Sequence, residues 1–162
     1  MPSELLTGGC QCGAVPFRAA RLGGAAICDC RMCQKAFGGF FGPLVPAYGV
    51  TWTRGVPTWF RSSDRAERGF CSQCGTPLAY HTDGDDESFE LAIGAFDDPI
   101  VAAPTKQVNP RDRLSFFEHL HELPTRPYGA APEIDTFTRG VVSHQHPDHD
   151  TQHWPPAGGF AA

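Results

Sequence analysis

Cys10-Gln11-Cys12-Gly13 and, far downstream, Cys71-Ser72-Gln73-Cys74-Gly75 decide how this chain folds. Cysteines one or three positions apart aim their thiolates at one small volume, which is what a soft metal such as zinc requires. Each cluster ends in Cys-Gly. The chain must turn sharply around an ion there, and glycine permits the positive φ that points backbone amides at sulfur. Cys10, Cys12, Cys71 and Cys74 therefore read as one closed four-thiolate site stapling an N-terminal strand to a distant hairpin. Such a structural zinc contributes on the order of several kcal/mol to folding.

Between them lies Cys28-Asp29-Cys30-Arg31-Met32-Cys33, which completes a set of seven cysteines. Seven divides into four plus three. A three-thiolate zinc keeps one corner for an incoming ligand, and a thiol arriving there would be acidified into a nucleophile. The competing readings are a closed site whose fourth ligand comes from Asp29, a histidine or a partner chain, and a redox C-x-x-C. Disulfides are disfavoured. The spacings make poor bridges, one thiol would be left over, and Met1 to Thr7 is not of signal-peptide type. A reducing cytoplasm is the expected setting.

The rest of the composition sets limits. At 162 residues, 41% hydrophobic and 19% charged, the chain reads as one globular domain with a tail. Its net charge of −5 and its two lysines, Lys35 and Lys106, argue against a nucleic-acid partner. No apolar run reaches membrane-spanning length. Fifteen prolines and 18 glycines chop the sequence into short strands with few helices. Segments 14–18, 50–53, 57–61 and 77–81 read as strands. So does 88–94, with Phe89, Leu91 and Ile93 on one face. Arg31 to Phe37 reads as a short helix, and Ser115 to Glu122 fits helix or strand. The fold class is mostly β, small zinc-stabilised sheets with few short helices. Residues 1–128 form the zinc-binding domain, and 129–162 form a proline-, glycine- and histidine-containing extension with little core of its own.

The three motifs resemble those of the glutathione-dependent formaldehyde-activating enzyme family, which also contains centromere protein V. The matching stretches are Gly8-Gly9-Cys10-Gln11-Cys12-Gly13-Ala14-Val15, Cys28-Asp29-Cys30-Arg31-Met32-Cys33-Gln34 and Phe70-Cys71-Ser72-Gln73-Cys74-Gly75-Thr76-Pro77-Leu78. Further likeness runs through Tyr48 to Arg68 and Ala92-Ile93-Gly94-Ala95-Phe96-Asp97-Asp98-Pro99, so that it spans about residues 4–128. The resemblance implies an Mss4-like fold, a structural zinc on Cys10, Cys12, Cys71 and Cys74, and a second zinc on Cys28, Cys30 and Cys33. It implies a carbon–sulfur lyase acting on thiol–aldehyde adducts such as S-(hydroxymethyl)glutathione, with glutathione and formaldehyde as small-molecule partners. The non-catalytic alternative is a zinc-stabilised binding module. Homo-oligomerisation is left open. Relatives often carry histidine where Asp29 stands, and Gln107 stands near the place of another family histidine.

Arg31 and Lys35 flank the middle cluster and are the candidate binders of a substrate carboxylate. Arg61, Arg65 and Arg68 could bind such a carboxylate too, with solvated surface charge the plainer account of most of these cations, and Trp52, Trp59 and Phe60 read as core. His81 reads as a packing residue. His144-Gln145-His146-Pro147-Asp148-His149 spells H-x-H-x-D-H, but it lacks the preceding strand and downstream ligands that a dinuclear site needs.

Overall fold

A computed structural model describes residues 6–127 and 129–156. In chain order the strands are β1 (Leu6–Gly9), β2 (Pro16–Ala19), β3 (Arg21–Leu22), β4 (Ala26–Cys28), β5 (Gly42–Tyr48), β6 (Thr51–Trp52), β7 (Thr58–Arg61), β8 (Ala66–Phe70), β9 (Pro77–Thr82), β10 (Ser88–Ala92) and β11 (Lys106–Val108). The helices are α1 (Arg31–Phe37) and α2 (Pro132–Arg139). The fold is mostly β, as expected from the turn-rich sequence.

Two sheets carry it. The smaller has the order β1-β2-β6, and the larger runs β11-β4-β5-β10-β9-β8-β7, with β3 pairing beside β5. Every pairing is antiparallel except β11 on β4, where Val108 stands opposite Cys28. The core lies where the sheets meet: Phe17, Val45, Leu78 and Leu91 are fully buried, and Phe17 meets Phe96 edge-on at 5.1 Å between ring centroids. Trp52 meets Phe89 edge-on and Trp59 stacks on it, and His81 joins them at 5.0 Å from Phe89. His81 is a packing residue whose Nε2 lies 2.8 Å from the Asp85 carbonyl.

Phe60 departs from expectation. Strand alternation turns Trp59 toward the core and Phe60 outward, where it is 62% exposed. The 88–94 alternation also ends early. β10 stops at Ala92, and Ile93–Ala95 closes as a buried 3-10 turn. Segment 115–122 settles as a 3-10 stretch over Phe117–Glu122.

Beyond α2 the chain runs back over the domain. His146 donates its backbone N–H to the Gln11 carbonyl at 2.7 Å, and the Trp154 indole N–H donates to the Cys12 carbonyl at 2.9 Å. Arg18 pairs with Asp150, and Arg54 bridges the carbonyls of Gly13 and Thr151. No helix among the described residues is long and apolar enough to cross a membrane.

Candidate metal centres

The first centre joins the end of β1 to the β8–β9 turn. Cys10 and Cys71 are buried, Cys12 and Cys74 half-buried, and their four Sγ atoms lie within 4.8 Å of one another. Cys10 and Cys12 are 3.6 Å apart through sulfur, and Cys12 and Cys71 are 3.8 Å apart. A tetrahedron with metal–sulfur bonds of about 2.3 Å has edges of about 3.8 Å, so the spacing fits zinc. Gly13 and Gly75 take φ of +75° and +77°. Their amides close the two turns onto the carbonyls of Cys10 and Cys71 at 2.9 and 2.8 Å. The Val15 N–H points at Cys10 Sγ from 3.2 Å, and the Thr76 hydroxyl lies 3.1 Å from Cys74 Sγ. Burial pushes the Cys10 thiol up to about 12. At Cys74 burial is outweighed by hydrogen bonds from Thr76 and Cys12, which bring it down to about 6.

The second centre is built by β4 and α1. Cys28 ends the strand. Cys30 caps the helix, its Sγ accepting from the Cys33 N–H at 3.4 Å, and Cys33 stands in the first turn. The three sulfurs lie within 4.8 Å of one another. Among the described residues no histidine or carboxylate ligand joins them. Asn109, in the left-handed region at φ 56°, donates from Nδ2 to Cys28 Sγ at 3.2 Å. Arg68 donates from Nη2 to Cys33 Sγ at 3.4 Å. At Cys33 burial dominates and pushes the thiol up to about 12 against the pull of Arg68. At Cys28 the burial penalty is outweighed by donors from Cys30, Asn109 and Cys33, and its pKa falls below the ordinary thiol value.

Asp29 is not a fourth ligand. Its side chain is fully buried, with Oδ2 3.3 Å from Arg113 Nε. Gln34 donates from Nε2 to the carbonyls of Asp29 and Asp112 at 2.7 and 2.9 Å, tying α1 to the segment after β11. Arg113 also engages Glu118 at 2.9 Å and donates from Nη2 to Gln107 Oε1.

The two predicted substrate cations part company. Lys35 lines a cavity of about 310 Å³ together with Met32, Ala36, Phe60, Ser62 and Arg68. Arg31 turns to Gln34 Oε1 at 3.2 Å. Arg68 and Asn109, which no motif marks, are the side chains that reach the sulfurs. Charge alone marks Arg68 as a possible carboxylate binder, and nothing in the sequence places it or Asn109 at the sulfurs.

The histidine-rich segment forms no ligand group among the described residues. His146 is buried, its Nε2 2.8 Å from Thr151 Oγ1, and its ring meets Trp154 edge-on at 5.1 Å. Burial lowers its pKa, favouring the neutral ring. These two rings lie directly on Gly13, where an added Cβ would stand 2.4 Å from Trp154 and 2.6 Å from His146.

Both clusters are soft, all-sulfur donor sets at metal-ligand spacing and could hold ions such as zinc. A crystal structure of a Rhodobacter sphaeroides protein is similar in fold, with a TM-score of 0.51 and 22% identity over 63% of this chain and 99% of that one. Residues 5–113, which contain both clusters, match the family described as glutathione-dependent formaldehyde-activating enzyme. The chain belongs to the glutathione-dependent formaldehyde-activating enzyme family.

Proposed function

We propose that the chain is a zinc-dependent carbon–sulfur lyase acting on thiol–aldehyde adducts such as S-(hydroxymethyl)glutathione. Cys28, Cys30 and Cys33 form its reaction centre, and Cys10, Cys12, Cys71 and Cys74 hold a structural zinc. One observation carries the reading: three sulfurs converge within 4.8 Å, among the described residues no fourth ligand joins them, and Arg68, which donates to Cys33 Sγ, lines a cavity. A zinc ion held there would supply the positive charge that acidifies a bound thiol.

The chain's own groups prepare the site. Asn109 and Arg68 direct N–H groups at Cys28 and Cys33, which favours their thiolate forms and fixes their orientation. The buried Gln34 and Asp29 hold α1 and β4 in register. In the synthetic direction the substrate sulfur loses its proton and forms a bond to the aldehyde carbon. The carbonyl π pair moves to oxygen, which takes up a proton, and the product is a hemithioacetal. Lyase action is the reverse, with C–S cleavage and return of the proton to sulfur.

The test measures zinc per chain and follows glutathione–formaldehyde condensation by proton NMR. We expect two zincs in wild type, one in Cys33→Ser, and no catalysed condensation in that variant. Wild-type protein that binds two zincs yet accelerates no thiol–aldehyde addition would leave only the zinc-stabilised binding module.

A further inference from the structure

We propose that Arg68, assisted by Lys35, binds the carboxylate of an acidic thiol and sets the preference of the Cys28–Cys30–Cys33 site for acidic over neutral thiols. This rests on the reading of that site as one that handles thiols.

The β7–β8–β9 register places Phe60, Arg68 and Tyr80 side by side on the face away from the buried Gly69. The Arg68 guanidinium lies over the Tyr80 ring, 4.9 Å from its centroid, which fixes its plane and shields one side. One Nη reaches Cys33 Sγ. The planar fork has five N–H donors, so others are left for a ligand. Among the described residues neither Arg68 nor Lys35 forms a salt bridge, whereas Arg18, Arg61, Arg113 and Arg126 all do. Glu90 on β10 feels the charge of Arg68 from beyond ion-pair distance, and burial raises its pKa.

The space in front of this cation is the right kind. Arg68, Phe60 and Ala36 line both the 310 Å³ cavity and an adjoining one of about 210 Å³. The exposed Met32 and Phe60 give the trough apolar walls, and Lys35 adds a second positive charge. In a chain of net charge −5, two cations with no carboxylate partner among the described residues, one of them already turned to Cys33 Sγ, mark a place for an anion. A thiol with its carboxylate on Arg68 has its sulfur brought toward Cys33, because the same guanidinium touches both. A neutral thiol gains nothing from this arrangement.

The experiment is calorimetric titration of the zinc-loaded protein with glutathione and with glutathione dimethyl ester, under reducing conditions. Zinc content is measured for every variant. Wild type should bind glutathione at least tenfold tighter than the ester. Arg68→Met should bring that ratio below threefold by weakening glutathione alone, and Arg68→Lys should restore part of it. Arg68→Met could disturb Cys33 itself. Lys35→Glu, which leaves the sulfurs untouched, should therefore also reduce the ratio at least threefold with zinc unchanged. A ratio unaltered by Lys35→Glu and Arg68→Met overturns the proposal while leaving a thiol-handling site intact. Wild-type protein that binds neither compound overturns the proposal together with the lyase reading.

Discussion

Asp29 Oδ2 lies 3.3 Å from Arg113 Nε although the aspartate sits between Cys28 and Cys30 of the second cluster and is wholly buried. Its other oxygen, Oδ1, has no hydrogen-bond partner. A buried carboxylate survives only through its partner, so removing the arginine should cost far more than neutralising the acid. We expect Arg113→Met to lower stability by about 3 kcal/mol and Asp29→Asn by about 1 kcal/mol. The double variant should be more stable than Arg113→Met alone, because it no longer buries an unpaired charge. Urea unfolding of the three proteins checks the ranking, and equal losses for both single variants would show that the pair is not coupled.

Trp154 and His146 press on the first cysteine turn, so the segment over 144–156 should slow metal loss from Cys10, Cys12, Cys71 and Cys74. Trp154→Ala removes the indole bond to the Cys12 carbonyl and half-buried ring surface. It should cost about 2 kcal/mol by the usual scale of hydrogen bonds and aromatic truncation. The release of the more tightly held zinc to a chromogenic chelator should quicken severalfold. An unchanged release rate would mean that the knuckle needs no cover.

Much of this was legible because metal spacing is a local signal. The Cys-Gly pairs announce the turns, and Arg31–Phe37 is helical where its sequence predicts. β5 was hidden although it is central to the larger sheet, since Pro43 and Pro46 interrupt a run that would otherwise read as strand. α2 was hidden because Gly129-Ala130-Ala131-Pro132 reads as a linker, and proline is in fact tolerated at its first turn. The donors to the sulfurs were hidden for a different reason. Arg68 and Asn109 reach them only through strand pairing and a left-handed residue, neither of which a linear motif encodes.

Gly42 stands opposite Cys28 on β5, directly beneath α1. An added Cβ would lie 2.8 Å from Cys33 Cβ and 3.1 Å from both its Sγ and the Phe37 ring. Gly42→Ala must push the helix away from the sheet and spread the three sulfurs. The cost should be about 1–3 kcal/mol, typical of overpacking. Metal analysis should find the four-cysteine site filled and the three-cysteine site depleted. Full occupancy of both would show that α1 moves without taking Cys33 from its partners.

The thiols of the second centre should be unequal once its metal is withdrawn by a mild chelator that spares the four-cysteine site. Reactivity follows the thiolate fraction. The Cys28 pKa is lowered, so its thiolate forms at lower pH than that of an ordinary cysteine. Cys33 is pushed up to about 12 and stays protonated throughout the neutral range. Iodoacetamide at pH 7.5, a condition chosen to lie well below the value for Cys33, should therefore modify Cys28 first. As pH rises the Cys28 rate should level off while that of Cys33 continues to climb. Asn109→Ala removes a donor that favours the Cys28 thiolate and should shift its profile to higher pH, with Cys33 unaffected. Peptide mapping by mass spectrometry reads each site separately. If Cys33 is labelled first, or if the Cys28 profile ignores Asn109, the hydrogen bond at 3.2 Å does not tune the cluster.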